Sequence, residues 1–206
     1  MRPKMRFHNH QFSQAAFTLT LVVGLCSSAF ASGHSVDVTE AVQTIKSLRH
    51  NDGAPFLVLD KVAATIWVFD GNSKMLGSTP VLVGAAIGDD SVPGIGTRPM
   101  SQISPNERTT PAGRFRMEPG RNLNNEDIFW IDYEAAVSLH RLRHSSPVER
   151  RPARLASVTP ADNRISYGCV NLPPRFYDDV IHPLFSVGNG WIYVLPETRP
   201  VSTLFK

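Results

Sequence analysis

Apolar and polar residues divide the chain into a helical start followed by many short strands. Residues 36–50 predict one amphipathic helix, because apolar side chains recur there at intervals of three and four residues. These side chains are Val38, Val42, Ile45 and Leu48. Asn51-Asp52-Gly53 then ends the helical pattern. From Pro55 onward, β-branched and aromatic runs predict strands instead.

The strand-like runs are short and separated by polar or glycine-containing breaks. FLVLD, TIWVFD and TPVLVGAAIG predict an antiparallel meander, and GWIYVLPE predicts a closing strand. A turn at residues 111–113 leads into another strand, and residues 128–142 alternate well enough for one or two more. Residues 173–185 predict a helix that begins with prolines. The pattern therefore predicts a mainly β domain at residues 55–206, with one or two short helices.

The first 31 residues have the order of a secretory signal peptide. Three basic residues precede an apolar run at Ala15–Leu25, and small residues follow up to Ala31. The run is shorter than the roughly 20 residues that a membrane span needs, so the mature chain is predicted to have no transmembrane span. An uncleaved anchor is the alternative. Residues 32–54 then form an N-terminal helix and linker, and the protein is expected in the periplasm or cell wall.

Charge and composition exclude several functional classes. The chain has 21 basic and 18 acidic residues, but removal of residues 1–31 takes away three basic residues and leaves the two signs equal. The basic excess therefore gives no support for nucleic-acid binding. We find no glycine-rich phosphate loop. His140 and His144 have a metal-like spacing, but on a strand end without a third ligand, so neither a metal nor another cofactor is predicted.

Cys169, in the stretch RISYGCVN, is the single cysteine left after residue 31. A lone thiol in an exported protein is either a buried apolar residue or a reactive one. Gly168 permits a tight turn, and the N–H groups of Gly168 and Cys169 are a possible oxyanion hole. A nucleophilic thiol also needs a base, and His140 ends a predicted strand that can lie beside the cysteine. His144 lies in the loop just after it.

Several stretches together resemble the L,D-transpeptidase catalytic domain of the YkuD type. TTPAGRF resembles its Thr-Pro-x-Gly-x-Phe turn, and SLH followed by ISYGCVNLP resembles its histidine and its Ser/Thr-His-Gly-Cys signature. FLVLDKVAATIWVFDGNSKMLGSTPVLVG resembles the opening strands. The resemblance extends from about Pro55 to Pro196, and the motifs occur in the order of the family.

The resemblance implies a β-sandwich with an open cleft, in which Cys169 is the nucleophile and His140 its base. Gly168 matches the oxyanion-binding turn, and Ser166 and Asn171 match positions that shape the site. Tyr167 stands where the common motif has a second histidine, and it donates a hydrogen bond but is a poor base near neutral pH. The loop between His140 and Ser166 is longer than usual and rich in arginine.

The implied reaction is acyl transfer on peptidoglycan stem peptides, without a cofactor. Cys169 attacks the carbonyl that precedes a terminal D-amino acid, and the thioester passes its acyl group to an amine. That amine belongs to another stem, a free D-amino acid or a lipoprotein lysine. Hydrolysis of the same thioester, as in a carboxypeptidase or amidase, is an alternative. Another is a cell-wall-binding protein weakened in catalysis by Tyr167. The arginines at 141–154 form either a flap that binds stem carboxylates or a solvated loop.

Overall fold

The computed structural model describes residues 35–143 and 146–206. The predicted signal peptide and His144 lie outside these residues. Among the residues described, no helix is long and apolar enough to span a membrane. The secondary structure is mainly β, which confirms the fold class predicted from the sequence pattern.

The described part of the chain contains eleven strands. They are β1 (Phe56–Asp60), β2 (Thr65–Phe69), β3 (Met75–Pro80), β4 (Val83–Gly84), β5 (Gly113–Arg116), β6 (Glu118–Arg121), β7 (Asp127–Asp132), β8 (Val137–Arg141), β9 (Arg164–Ser166), β10 (Val170–Leu172) and β11 (Trp191–Val194). The helices are α1 (Val36–Leu48), α2 (Arg151–Leu155), α3 (Pro174–Phe176) and α4 (His182–Phe185), with a π-helical turn, Tyr177–Ile181, between the last two.

The strands form two main sheets and a small third one. The larger sheet has the order β3-β2-β1-β11-β5, in which β1 and β11 run parallel and the other neighbours are antiparallel. The second has the order β10-β8-β7-β6, and β10 runs parallel to β8. In the third, β4 and β9 form a short parallel pair.

The two main sheets share one hydrophobic core. Leu57 and Leu59 of β1 pack there with Val137 and Leu139 of β8, and Tyr177 of the π-helical turn joins the same cluster. The arrangement is a β-sandwich, because the inner faces of both sheets supply the apolar residues between them.

Helix α1 covers the outer face of the five-stranded sheet. The Ser35 hydroxyl caps its first turn by accepting a hydrogen bond from the Val38 N–H, and Arg49 ends the helix in the left-handed conformation. Ile45 is buried against Phe56 and Val58 in a second apolar cluster. Strand β1 is therefore buried on both faces, which explains why its first four residues, FLVL, are all apolar.

The structure differs from the predicted elements at three places. TPVLVGAAIG is not one strand: β3 ends at Pro80, opposite the first residue of β2, and β4 then pairs with β9 instead. RISYGCVN, for which the pattern predicted no element, contains β9 and the first two residues of β10 on either side of its turn. Helix α2 lies in a stretch that has no clear periodicity, since only its Leu155 is buried.

Candidate active site

The candidate site lies on the outer face of the four-stranded sheet, at β8. Val137 and Leu139 point into the core, so the alternate residues Ser138 and His140 lie on the opposite face. In the parallel pairing of β10 with β8, Asn171 is the register partner of His140. Cys169 precedes Asn171 by two residues and lies at the level of Ser138, on the same face.

Contacts with β8 and the turn before it hold the Cys169 thiol in place. Its Sγ lies 3.4 Å from the Ser138 backbone nitrogen, which donates to it, and 3.6 Å from the Ser138 hydroxyl oxygen. The Ala136 carbonyl oxygen lies 3.7 Å away and accepts from the thiol. The cysteine is half-buried and has no disulfide. A thiol in this position is fixed by its neighbours while part of its surface faces solvent.

The structure places His140 and Cys169 on one face without joining them. Two residues along a strand and one strand across correspond to about 8 Å between Cα atoms. Within the two described ranges, no hydrogen bond links the thiol to the imidazole. The neighbour predicted from the sequence is therefore near the cysteine, but the catalytic pairing itself stays a prediction.

His140 is held in one tautomer by the backbone of the next residue. Its Nδ1 lies 2.7 Å from the Arg141 carbonyl oxygen, which can only accept, so Nδ1 carries the proton and Nε2 has a free lone pair. Burial, together with the positive charges of Arg143 and Arg151, lowers the pKa of His140 to about 4, although the Arg141 carbonyl and Glu126 act in the opposite direction. The ring is therefore neutral at neutral pH.

The imidazole lines a cavity of about 440 Å³ with a charged wall. Arg141 and Arg143 line the same cavity, and both are paired: Arg141 with Asp127 at 2.9 Å and Arg143 with Glu126 at 3.0 Å. Opposite charges therefore balance beside His140.

The remaining arginines of the long loop are also mostly engaged. Arg151 forms an ion pair with Glu149 at 2.6 Å, and Arg154 donates to the Glu149 carbonyl oxygen at 2.9 Å. Together with the pairs of Arg141 and Arg143, these contacts favour the alternative in which the loop balances nearby acids over a free basic flap.

Ser166 and Asn171 shape the turn that carries the cysteine. The Ser166 hydroxyl accepts from the Gly168 N–H at 3.1 Å and donates to the Cys169 carbonyl at 2.7 Å. The Asn171 amide donates to the same carbonyl at 3.1 Å and accepts from Arg151 at 3.0 Å. Both side chains are buried, so they position the turn from below.

Gly168 occupies a position that no other residue fits. Its φ is +128°, and an added Cβ would lie 2.7 Å from the Thr109 carbonyl oxygen and 3.1 Å from Val137 Cγ2. Its N–H already donates to Ser166, so this group points into the turn rather than toward a shared acceptor with the Cys169 N–H. In the described part of the chain, the Cys169 N–H itself has no hydrogen-bond acceptor.

Tyr167 packs against an arginine that sequence reasoning missed. The Arg108 guanidinium carbon lies 3.8 Å from the centre of the Tyr167 ring, and Arg108 also donates to the Ile103 carbonyl at 3.1 Å. The ring is half-buried and serves as the platform for this cation. No pattern in the sequence links these two residues, which lie far apart along the chain.

Thr110 is a second residue that was not singled out. Its hydroxyl accepts from the Gly84 N–H at 2.8 Å and donates to the Gly168 carbonyl at 2.7 Å. The only signal for it was its membership of the TTPAGRF stretch. The turn in that stretch therefore packs directly against the turn that carries Cys169.

Among residues 35–143 and 146–206, no group of three or more histidine, cysteine, aspartate or glutamate side chains is arranged to hold a metal ion. What the arrangement offers chemically is a fixed, partly exposed thiol, a neutral imidazole with a free Nε2, and an unengaged backbone N–H beside the sulfur.

Structural comparison finds similarity to L,D-transpeptidases and to a cell-shape protein. The helical cell shape determining protein Pgp2 from Campylobacter jejuni is 11% identical with a TM-score of 0.45, over 71% of this chain and 49% of that one. An L,D-transpeptidase from Stackebrandtia nassauensis is 16% identical with a TM-score of 0.39, over 72% of this chain and 58% of that one. The catalytic domain of the E. faecium L,D-transpeptidase is 18% identical with a TM-score of 0.36, over 69% of this chain and 98% of that one.

The chain thus spans about half the length of the Pgp2 structure. The similar structures include L,D-transpeptidases, the family that the sequence motifs resemble. No protein-family model matches the chain, and no curated protein sequence matches it.

Proposed function

We propose that this protein is an exported cysteine acyltransferase that acts on peptidoglycan stem peptides. One observation carries the proposal: the half-buried Cys169 thiol lies on an outer sheet face, with His140 two positions farther along the adjacent strand. The sequence motifs that resemble those of L,D-transpeptidases support it, because the histidine and cysteine motifs meet at this face and TTPAGRF contacts the cysteine turn through Thr110. A thiol kept only for packing would be expected to point into the core, as Val170 does.

The proposed reaction has two acyl-transfer steps. The His140 Nε2 accepts the thiol proton, and sulfur attacks the carbonyl carbon before a terminal D-amino acid, so that a C–S bond forms and the C=O electron pair moves to oxygen. Collapse of this intermediate breaks the C–N bond, and the departing amine takes the proton from His140. An acceptor amine then attacks the thioester carbonyl carbon, and His140 takes a proton from this amine. The new C–N bond forms as the C–S bond breaks, and the proton passes from His140 to sulfur, which restores the thiol.

The acceptor decides which activity results. An amine from another stem gives a cross-link, a free D-amino acid gives exchange, and a lipoprotein lysine gives protein attachment. Water gives hydrolysis, which is the alternative enzyme activity. The exposed side of the cysteine is compatible with each of these acceptors, since all four attack the same thioester.

Incubation of the purified protein with tetrapeptide stems, followed by mass spectrometry, tests the proposal. Cross-linked dimers identify transfer, tripeptides identify hydrolysis, and unchanged stems that nevertheless bind identify the wall-binding alternative. A Cys169→Ala variant should give no product while keeping the unfolding free energy of the wild type within about 1 kcal/mol, since its side chain is only half-buried. Full activity in that variant would exclude the mechanism.

A further inference from the structure

A cluster of buried charges lies behind the turn that carries the cysteine. Lys61 is 1% exposed, and its ammonium donates to Asp89 at 2.9 Å, to the Thr110 carbonyl at 3.1 Å and to the Gly88 carbonyl. Glu197 lies 3.5 Å from the same nitrogen. All three ammonium hydrogens therefore have acceptors, which offsets the large cost of burying the charge.

Asp89, the acid that accepts from Lys61 in this cluster, stays ionised. Burial tends to raise the pKa of Asp89, but hydrogen bonds from Thr198, Lys61 and the Glu197 backbone outweigh it and hold the pKa well below its ordinary value. Arg164, the first residue of β9, is paired with Glu197. The cluster thus ties together the start of β9 and the backbone of Thr110, at neutral pH.

The two hydrogen-bond partners of the Thr110 hydroxyl determine the direction of its hydrogen. It accepts from the Gly84 N–H, which can only donate, and it lies 2.7 Å from the Gly168 carbonyl oxygen, which can only accept. The hydroxyl hydrogen therefore points at Gly168. Lys61 donates to the Thr110 carbonyl, so both the backbone and the side chain of Thr110 are held by hydrogen bonds.

Because Gly168 and Cys169 share a peptide bond, the hydrogen bond from Thr110 to the Gly168 carbonyl also fixes the direction of the Cys169 N–H. In a planar trans peptide, the C=O of one residue and the N–H of the next point in opposite directions. With the Gly168 carbonyl held inward by Thr110, the Cys169 N–H must point the other way. The neighbouring Gly168 N–H is occupied by Ser166, and over the described ranges the Cys169 N–H has no acceptor.

We propose that Thr110 is a positioning residue that aims the Cys169 backbone N–H at the oxygen of an acyl group under attack by the thiol. This inference rests on the nucleophilic Cys169 of the proposed function, but not on the nature of the substrate. As the C–S bond forms, the carbonyl electron pair moves to oxygen, and a donor already aimed at that oxygen stabilises the charge without reorganisation. Lys61 supports the effect by fixing Thr110.

Two reactions of the same thiol separate this role from a structural one. Acylation by p-nitrophenyl acetate forms an oxyanion on the attacked carbonyl, whereas alkylation by iodoacetamide displaces iodide at carbon and forms none. In Thr110→Val, acylation should fall about 10- to 100-fold, as expected for a misaligned oxyanion donor. The alkylation rate of Thr110→Val should stay within about twofold of the wild-type rate, because the thiol itself is unchanged. Thr110→Ser keeps the hydroxyl and should acylate at a rate close to that of the wild type.

Other outcomes overturn the inference. An unchanged ratio of acylation to alkylation in Thr110→Val shows that the hydroxyl does not act on the oxyanion. A parallel fall of both rates, or an equal loss in Thr110→Ser, shows a structural role only. The test needs no stem peptide, so a protein that leaves stems unchanged but shows the expected ratio contradicts the proposed function and keeps this inference.

Amide hydrogen exchange on the wild type keeps the inference testable if Thr110→Val does not fold. The Gly168 N–H, held by Ser166, should exchange slowly, whereas the Cys169 N–H, with no acceptor, should exchange much faster. A Cys169 amide protected as strongly as that of Gly168 would mean that its N–H is bound inside the protein and would overturn the inference.

Discussion

The outer faces of the two main sheets have opposite characters. The five-stranded sheet presents Phe56, Val58 and Trp67, and helix α1 covers them. The four-stranded sheet presents Ser138 and His140 at β8, where the partly exposed thiol lies beside them. Both sheets contribute their inner faces to one core, so the difference lies only in what the second face carries.

The covered face is therefore expected to contribute mainly to stability, and the polar face to carry the reactive side chains. A strand that is apolar on both faces, such as β1, gains burial on each side and is expected to contribute mainly to the free energy of folding. A strand that alternates, such as β8, is anchored by Val137 and Leu139 and can present polar side chains at fixed positions. The comparison predicts that substitutions on the two faces have separable effects.

The largest expected effect on the polar face, after loss of the thiol, is that of His140→Gln. Loss of a general base lowers catalytic rates about 10²- to 10⁴-fold, and kcat for acyl transfer measures it. His182→Gln is the matched control, because His182 is an exposed histidine that contacts Asp127 and not the thiol, and its loss should leave kcat unchanged. A loss in His144→Gln with His140→Gln active would move the base by four residues.

On the covered face, Ile45→Ala should destabilise the fold and spare the chemistry. Ile45 is completely buried beneath the sheet, so the cavity costs about 2–5 kcal/mol of unfolding free energy in denaturant titrations. The exposed Leu48 on the same helix is the control, and Leu48→Ala should cost about 0.5 kcal/mol or less. A fall in acylation rate of folded Ile45→Ala protein would show that the two faces are coupled.

Acid should weaken the fold through His140. The ring has a pKa of about 4 in the folded protein and an ordinary value of 6.5 when unfolded, so between these pH values the unfolded state binds the extra proton. Stability should therefore be complete above pH 6.5 and fall by about 3 kcal/mol as the pH drops to about 4. In His140→Gln this part of the loss should vanish, and an identical pH profile for both proteins would contradict the burial of a neutral ring.

Tyr167 should give the smallest effect. Tyr167→Phe keeps an aromatic ring beneath Arg108 and should change acylation by no more than about twofold, because the stacking does not need the hydroxyl. Tyr167→Ala removes the stacking and should cost about 0.5–1 kcal/mol of unfolding free energy. A Tyr167→Phe loss comparable with that of His140→Gln would instead assign the tyrosine hydroxyl a part in the reaction.

Many of the helices and strands could be predicted from local sequence patterns. Helix α1 and strands β1, β2, β7, β8 and β11 follow from periodicities that extend over a few residues, and neighbouring strands with short connections pair as expected. Cys169 and His140 stood out because thiols and imidazoles are the side chains that this chemistry needs. These predictions depended on residues that are close together in the chain.

The rest was decided by contacts between distant residues. The thiol's position depends on parallel pairing of β10 with β8, which no local pattern specifies. Thr110 bonds to Gly168, 58 residues away, and Lys61 to Thr110, 49 residues away. A lysine or threonine looks ordinary in sequence, since both are usually exposed. The sequence by itself determined which groups are available for chemistry, and only the tertiary structure decided which buried donors and acceptors hold them, because hydrogen-bond partners in a folded core are selected by space and not by order along the chain.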